Sequence, residues 1–201
     1  MRESSLAIAP AHVALRRTAA VVLGAMLVAA AAQISLPLPG TPVPMTLQPL
    51  AVLLVGGLLG AGLGPSALIL YLAAGAAGLP VFTPYGAPGV ARLLGPTGGY
   101  LLAYPVAAFA VGRLAADGRR LGRLALAVLA GLLLIHLGGL AQLLILTGSG
   151  ALAVRLGTLP FILGDLLKLG IAVLILKPTV SPLRAPMTAR VSFAGWRRGG
   201  A

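Results

Sequence analysis

The sequence predicts an all-α polytopic membrane protein with six transmembrane helices and both termini cytoplasmic. Three observations carry that prediction: a composition too apolar for water, six apolar runs of membrane-crossing length, and basic residues that collect on one side of those runs. Of 201 residues, 59% are apolar and only 9% are charged, against about 25% charged in an ordinary soluble domain. Mean hydropathy is +1.03. Such a chain cannot clothe every helix with a polar outer face. Soluble enzymes, disulfide-rich secreted scaffolds and disordered chains are thereby excluded. With no cysteine there is no disulfide, no thiolate nucleophile and no Cys-ligated metal.

A hydrocarbon core of roughly 30 Å takes about 20 helical residues. Runs at about 18–35, 47–64, 66–80, 98–115, 124–147 and 159–176 meet or approach that length. The third is short and bounded by Pro65 and Pro80, so it spans only where neighbours cover its ends. No run shows the alternation that a transmembrane β-barrel needs. The domain is therefore 18–177, between a cytoplasmic segment 1–17 and a basic tail 178–201 that contains Pro178, Pro182 and Pro186 and is expected to be poorly ordered. A cleavable signal peptide is the alternative for 1–32: Arg16 and Arg17, an apolar stretch, then Ala30, Ala31 and Ala32 have that form. Cleavage would leave five spans.

The net charge of +12 would suit nucleic acid if the cations formed a stripe interleaved with aromatic side chains. They do not. With the N-terminus inside, twelve of the 15 basic residues fall in 1–17, 113–123 and 177–201, as the positive-inside rule requires of a chain with an even number of spans. A multi-pass protein of the plasma (inner) membrane follows. Arg92 and Arg155 lie outside, and Lys168 lies within the last span.

Those exceptions locate candidate chemistry. Glu3, Asp117 and Asp165 are the only acids. Glu3 is terminal and Asp117 sits in a basic loop, but Asp165 interrupts an apolar run. An ionised Asp at the centre of a span costs about 2.5–3.5 kcal/mol on insertion scales, so it must face protein or a wet cavity. Lys168, three residues on, shares its helix face. The pair either neutralises itself as a structural element or forms the polar corner of a ligand site. Residues 80–97 make a long, mostly apolar outer loop with Phe82, Tyr85 and a single charge, Arg92; long loops of this kind tend to be lids or binding elements. Arg92 then meets either a specific anion or lipid phosphate. A second outer loop, 34–48, carries Pro37, Pro39, Pro42 and Pro44 and ends on Gln48, a neutral donor and acceptor at the mouth of the second span. Prolines restrict φ and suit a structured cap.

Small residues recur at helical spacing: Ala20 and Gly24, Ala25 and Ala29, then Gly56, Gly60 and Gly64. That spacing permits close helix approach, within the chain or with a partner. His12 and His136 have no acid nearby in sequence, and His136 reads as a satisfied polar residue of a bundle. Ser149 lacks placed partners for a triad. There is no Walker-type motif, so the chain cannot hydrolyse ATP by itself. Neither a catalytic site, a metal site nor a cofactor is expected.

Four segments together resemble the BioY family: Pro42-Val-Pro-Met-Thr-Leu-Gln48, Gly78-Leu-Pro-Val-Phe82, Leu94-Gly-Pro-Thr-Gly-Gly-Tyr100 and Gly164-Asp-Leu-Leu-Lys168. The resemblance covers about 33–177. It implies a substrate-capture (S) component of an energy-coupling factor (ECF) transporter, a six-helix bundle that takes biotin from outside. Asp165 would then accept the ureido N–H groups, Arg92 or Lys168 would pair with the carboxylate, and Phe82, Tyr85 and Tyr100 would cover the apolar middle of the ligand. Gln48 would stand at the mouth. It further implies a transmembrane coupling protein and two cytoplasmic ATPases, with Ala20, Gly24, Ala25 and Ala29 as the docking face. Competing readings are a sibling subunit for another vitamin, a stand-alone carrier driven by an ion gradient with Asp165 as its ion site, and a structural protein without a ligand.

Overall fold

In the computed structural model, residues 11–117 and 121–184 are described. The N-terminal stretch with Glu3, the middle of the basic loop at 118–120 and the tail from 185 lie outside them. The order is α1 (Ala11–Gln33), a minimal antiparallel hairpin of β1 (Ser35–Leu36) and β2 (Met45–Thr46), α2 (Gln48–Ala76), α3 (Val90–Leu94), α4 (Gly98–Leu114), α5 (Leu121–Thr147), α6 (Gly150–Gly157) and α7 (Ile162–Arg184). Among the described residues four stretches are long and apolar enough to cross a membrane: Ala11–Gln33, Gln48–Ala76, Leu121–Thr147 and Gly150–Pro178.

The stretch Gln48–Ala76 is not one straight rod. Gly60 has φ 79° and ψ −178°, a conformation that only glycine adopts without strain. The Gln48 side-chain amide donates to the Tyr71 hydroxyl at 2.5 Å although the two residues are 23 apart in sequence. In an unbroken helix they would be separated by about 35 Å. A Cβ added at Gly64 would sit 3.2 Å from Gly56 Cα. The chain therefore reverses at Gly60, and 48–59 packs antiparallel to 61–76. This corrects the boundary read from Pro65: the second and third runs are separate helices, but they part at Gly60. Pro65 lies inside the second half, close enough to its start that its missing N–H costs little. Pro49 begins the first half for the same reason.

Two short helices were not expected, α3 in the outer loop and α6 before the last span. The hairpin was also unforeseen, with Ser35 opposite Thr46 and Leu36 opposite Met45. Its tip is tied down, because the Thr41 hydroxyl donates to Leu156 O at 2.7 Å. At the other boundary α7 runs through Pro178 and Pro182 to Arg184, past the predicted start of the tail.

The side-chain distribution is inverted relative to a soluble domain. Leu163, Ile145 and Leu15 are more than 70% exposed, and the buried polar residues gather inside. Such a surface belongs in an apolar solvent. Two buried clusters fill the bundle. One, with Val28, Val52, Tyr71, Tyr104 and Ile135, lies toward the end that carries the hairpin and outer loop. The other, with Val111, Leu124, Val128 and Leu176, fills the opposite end. Gly24 and Ala25 are buried within the bundle, and a Cβ on Gly24 would meet Ala67 and Leu59 of α2 at 3.0 Å. Gly24 and Ala25 pack α1 onto α2, while Ala20 and Ala29, half-buried beside them, keep part of their surface exposed.

Candidate ligand-binding site

A cavity of about 620 Å³, counted to its open mouth, lies at the hairpin end of the bundle. Its walls are mostly apolar, with Val43, Phe82, Leu101, Tyr104, Ile135 and Phe161 among them, and its polar lining includes Thr46, Gln48, Arg92, Tyr100, His136, Asp165 and Lys168. A concave, apolar pocket with a few convergent polar groups is the general form of a small-molecule site. Six of the seven ligand-site expectations thus meet in one place: Asp165, Lys168, Arg92, Phe82, Tyr100 and Gln48. Tyr85 does not. It is 48% exposed and absent from the lining, because the loop turns its ring away while its carbonyl accepts from the Thr83 hydroxyl at 3.4 Å.

The first turn of α7 supplies Asp165, and one turn later Lys168 Nζ donates to Asp165 Oδ1 at 3.0 Å. His136 of α5 meets the other oxygen, with Nε2 2.7 Å from Asp165 Oδ2. Sequence inspection missed His136 because its acid partner is 29 residues away, on another helix. Only an alignment of α5 against α7 by register would have suggested the pair. Tyr100, at the start of α4, donates its hydroxyl to Gly157 O at 2.6 Å and sets its ring edge-on to His136, with centroids 6.1 Å apart.

Arg92 comes from α3 and is buried. Nε donates to Ala87 O at 2.9 Å, Nη1 to the Thr83 hydroxyl at 2.9 Å and Nη2 to Thr83 O at 2.8 Å. Burial disfavours the charge and draws the guanidinium's pKa below its usual value, with the Tyr71 hydroxyl opposing that shift. Guanidinium stays protonated in proteins nonetheless. Of its five N–H groups three are used, which leaves one on each terminal nitrogen for a ligand. The outer loop that carries Arg92 is itself pinned. Gln33 Nε2 donates to Phe82 O at 3.0 Å, and Gln142 Nε2 to Leu93 O and Gly95 O at 3.0 and 2.7 Å. Phe82 closes the wall, stacked edge-on against Tyr71 at 5.4 Å.

Arg92 and Lys168 against Asp165 give this lining a formal charge of +1 with His136 neutral. Among the described residues no group of His, Asp or Glu is arranged to hold a metal ion.

Residues 3–185 match the BioY family. A Pyrococcus horikoshii protein named "Probable biotin transporter BioY" is 43% identical over 155 residues, covering 77% of this chain and 90% of that protein. The biotin transporter BioY of Thermotoga maritima is 38% identical over 158 residues, covering 79% and 88%. A crystal structure of the S-component for biotin from an ECF-type ABC transporter superposes with a TM-score of 0.77, at 24% identity, over 85% of this chain and 94% of that one; it shares the fold. By sequence match over nearly its whole length, this chain belongs to the BioY family.

Proposed function

We propose that this chain is a membrane-embedded subunit that captures biotin from the external side and mediates its uptake. The observation that carries the reading is the cavity itself: an apolar-walled pocket of net charge +1 in which α7 supplies an acid and a cation, Asp165 and Lys168, and the outer loop supplies a second cation, Arg92. Biotin is a monoanion with an apolar middle and a neutral cyclic urea. Asp165 and Lys168 offer an acceptor and a donor side by side, which complements the N–H and C=O edge of the urea. Because Lys168 is engaged by Asp165, Arg92 is the partner of the carboxylate, through the N–H left on each terminal nitrogen. Phe82 and Tyr100 flank the apolar portion. That relatives of high coverage are named biotin transporters supports the same ligand.

In this reading six segments cross the membrane: α1, the two halves of α2, α4, α5 and α7, as one domain over 18–177. Both termini, 1–17 and the tail 178–201, are cytoplasmic and the cavity opens outward at the plasma membrane. The basic residues of the termini and of 113–123 support that orientation. Energy comes from an ECF module, a transmembrane coupling protein with two ATPases. The missing Walker motif and the likeness to an S-component fold support this, and the chain itself acts as a transport component without catalysis.

The test is equilibrium binding of labelled biotin to the detergent-purified chain, with unlabelled biotin and other vitamins as competitors. Saturable binding that only biotin displaces supports the reading; displacement by another vitamin alone moves the ligand assignment, and no binding by a folded protein ends it. Arg92→Lys keeps the charge but cannot make three directed bonds to the loop and grip a carboxylate as well. It is expected to weaken biotin binding about tenfold. Biotinamide, which lacks the carboxylate charge, should show little difference between the two proteins.

A further inference from the structure

We infer that His136 is a positioning residue of the ligand site, holding the Asp165 carboxylate in one orientation and so setting affinity for the ligand's neutral N–H end. The inference rests on the biotin reading above. Its basis is how Asp165 is anchored. Lys168 is on the same helix, three residues away, and its long flexible stem lets ammonium and carboxylate swing together. Among the described residues, His136 is the hydrogen-bond partner that ties Asp165 to a different helix.

The imidazole is itself held on three sides. Nε2 meets Asp165 Oδ2 at 2.7 Å, Nδ1 lies 3.4 Å from the Thr158 hydroxyl, and the Tyr100 ring stands edge-on to it at an interplanar angle of 80°. A neutral ring protonated at Nε2 satisfies both contacts, donating to Asp165 and accepting from Thr158. The His136 and Asp165 side chains are only 17% and 12% exposed, and what is exposed faces the cavity.

Lone-pair geometry completes the argument. A carboxylate has about four acceptor sites. Lys168 takes one on Oδ1 and His136 takes one on Oδ2, which leaves each oxygen free to accept once more. With both bonds in place the remaining lone pairs have fixed directions, and a ligand N–H meets a preorganised acceptor. Without His136 the carboxylate turns toward Lys168, and the ligand must break that closer pairing to bind.

The experiment compares His136→Leu, which fills the space but donates nothing, with His136→Gln, which keeps an N–H donor at similar reach. Both are measured with biotin and with biotinamide beside the unaltered chain, and thermal unfolding of each ligand-free protein reports folding. The leucine variant is expected to bind both ligands about tenfold more weakly, and the glutamine variant to recover most of that loss. Leucine-variant binding equal to the unaltered chain overturns the inference. So does a loss confined to biotin, since that places His136 at the carboxylate. If the leucine variant does not fold, a glutamine variant with a full tenfold loss overturns it too, and one that binds normally while Asn, too short to reach, does not supports it. Failure of the unaltered chain to bind biotin is a separate result that removes the functional reading itself.

Discussion

Asp165→Asn is expected to reduce biotin affinity by about a hundredfold or more and to lower the stability of the ligand-free protein. Asp165 is the only acid in the cavity lining, and its two oxygens serve Lys168 and His136. The substitution keeps the shape but removes the charge that makes both bonds strong. Lys168, 7% exposed at its side chain, then holds a buried ammonium with no counter-charge. Breaking such a pair on one side costs about 3–5 kcal/mol, chiefly from the unpaired charge left behind. The cavity charge also rises to +2, so long-range attraction for an anion increases while directed recognition of the urea fails. Equilibrium binding with thermal unfolding separates the two effects. Asp165→Asn with Lys168→Met should regain much of the stability and none of the affinity. Full binding by Asp165→Asn would mean that the urea is recognised elsewhere.

Gly138→Leu should be equally damaging, by a different route. At the crossing of α4 and α5 the backbones touch: a Cβ on Gly138 would lie 2.5 Å from Gly99 O and 2.7 Å from Ala103 Cβ, and a Cβ on Gly99 would overlap the Gly138 carbonyl. No flexible side chain stands there to give way. Overpacking a well-filled contact costs about 1–3 kcal/mol and sometimes more, and here the helices themselves must separate. His136 is two residues before Gly138, and Tyr100 directly follows Gly99. Widening the crossing therefore pulls His136 from Asp165 and Tyr100 from Gly157. A drop in melting temperature together with lost biotin binding is the expected outcome. A variant with unchanged melting temperature and affinity would show that the crossing tolerates side chains.

Much of this architecture could be read from the chain. The apolar runs at 98–115 and 124–147 coincide with α4 and α5 to within a few residues, because long apolar segments with no charge before their last turn leave few alternatives to a membrane helix. Asp165, Lys168 and Arg92 stood out for the same reason: a charge is costly in such surroundings and must have a partner. What stayed hidden was contact between distant segments. Gly56, Gly60 and Gly64 read as a stripe for helix packing, and close packing is their use, but across a reversal within the chain. Gly60 turns the backbone so that Gly64 meets Gly56, and periodicity, which assumes a straight helix, cannot express that. Ala20 to Ala29 met an ambiguity of another kind, since small residues allow approach without naming the neighbour. His136 was passed over because i,i+3 reasoning sees one helix at a time. Tyr85 was included because an aromatic residue in an apolar loop looks like a wall; which way the loop turns depends on Arg92 gripping Thr83 and Ala87.

The reversal at Gly60 also bears on how the chain enters a bilayer during synthesis. The two halves of α2 are about 18 Å and about 24 Å long, and each falls short of a hydrocarbon core of roughly 30 Å. Neither is a good insertion signal by itself. Gln48, moreover, brings an amide into an apolar environment, and its partner is the Tyr71 hydroxyl on the opposite half. The Thr46 hydroxyl serves the amide's carbonyl oxygen, but until Tyr71 has left the ribosome its N–H side lacks this partner, which lipid penalises. In the orientation proposed above Gly60 is the cytoplasmic turn, so the two halves settle as one unit, and the contact between Gln48 and Tyr71 closes near the outer face once the second half is in place.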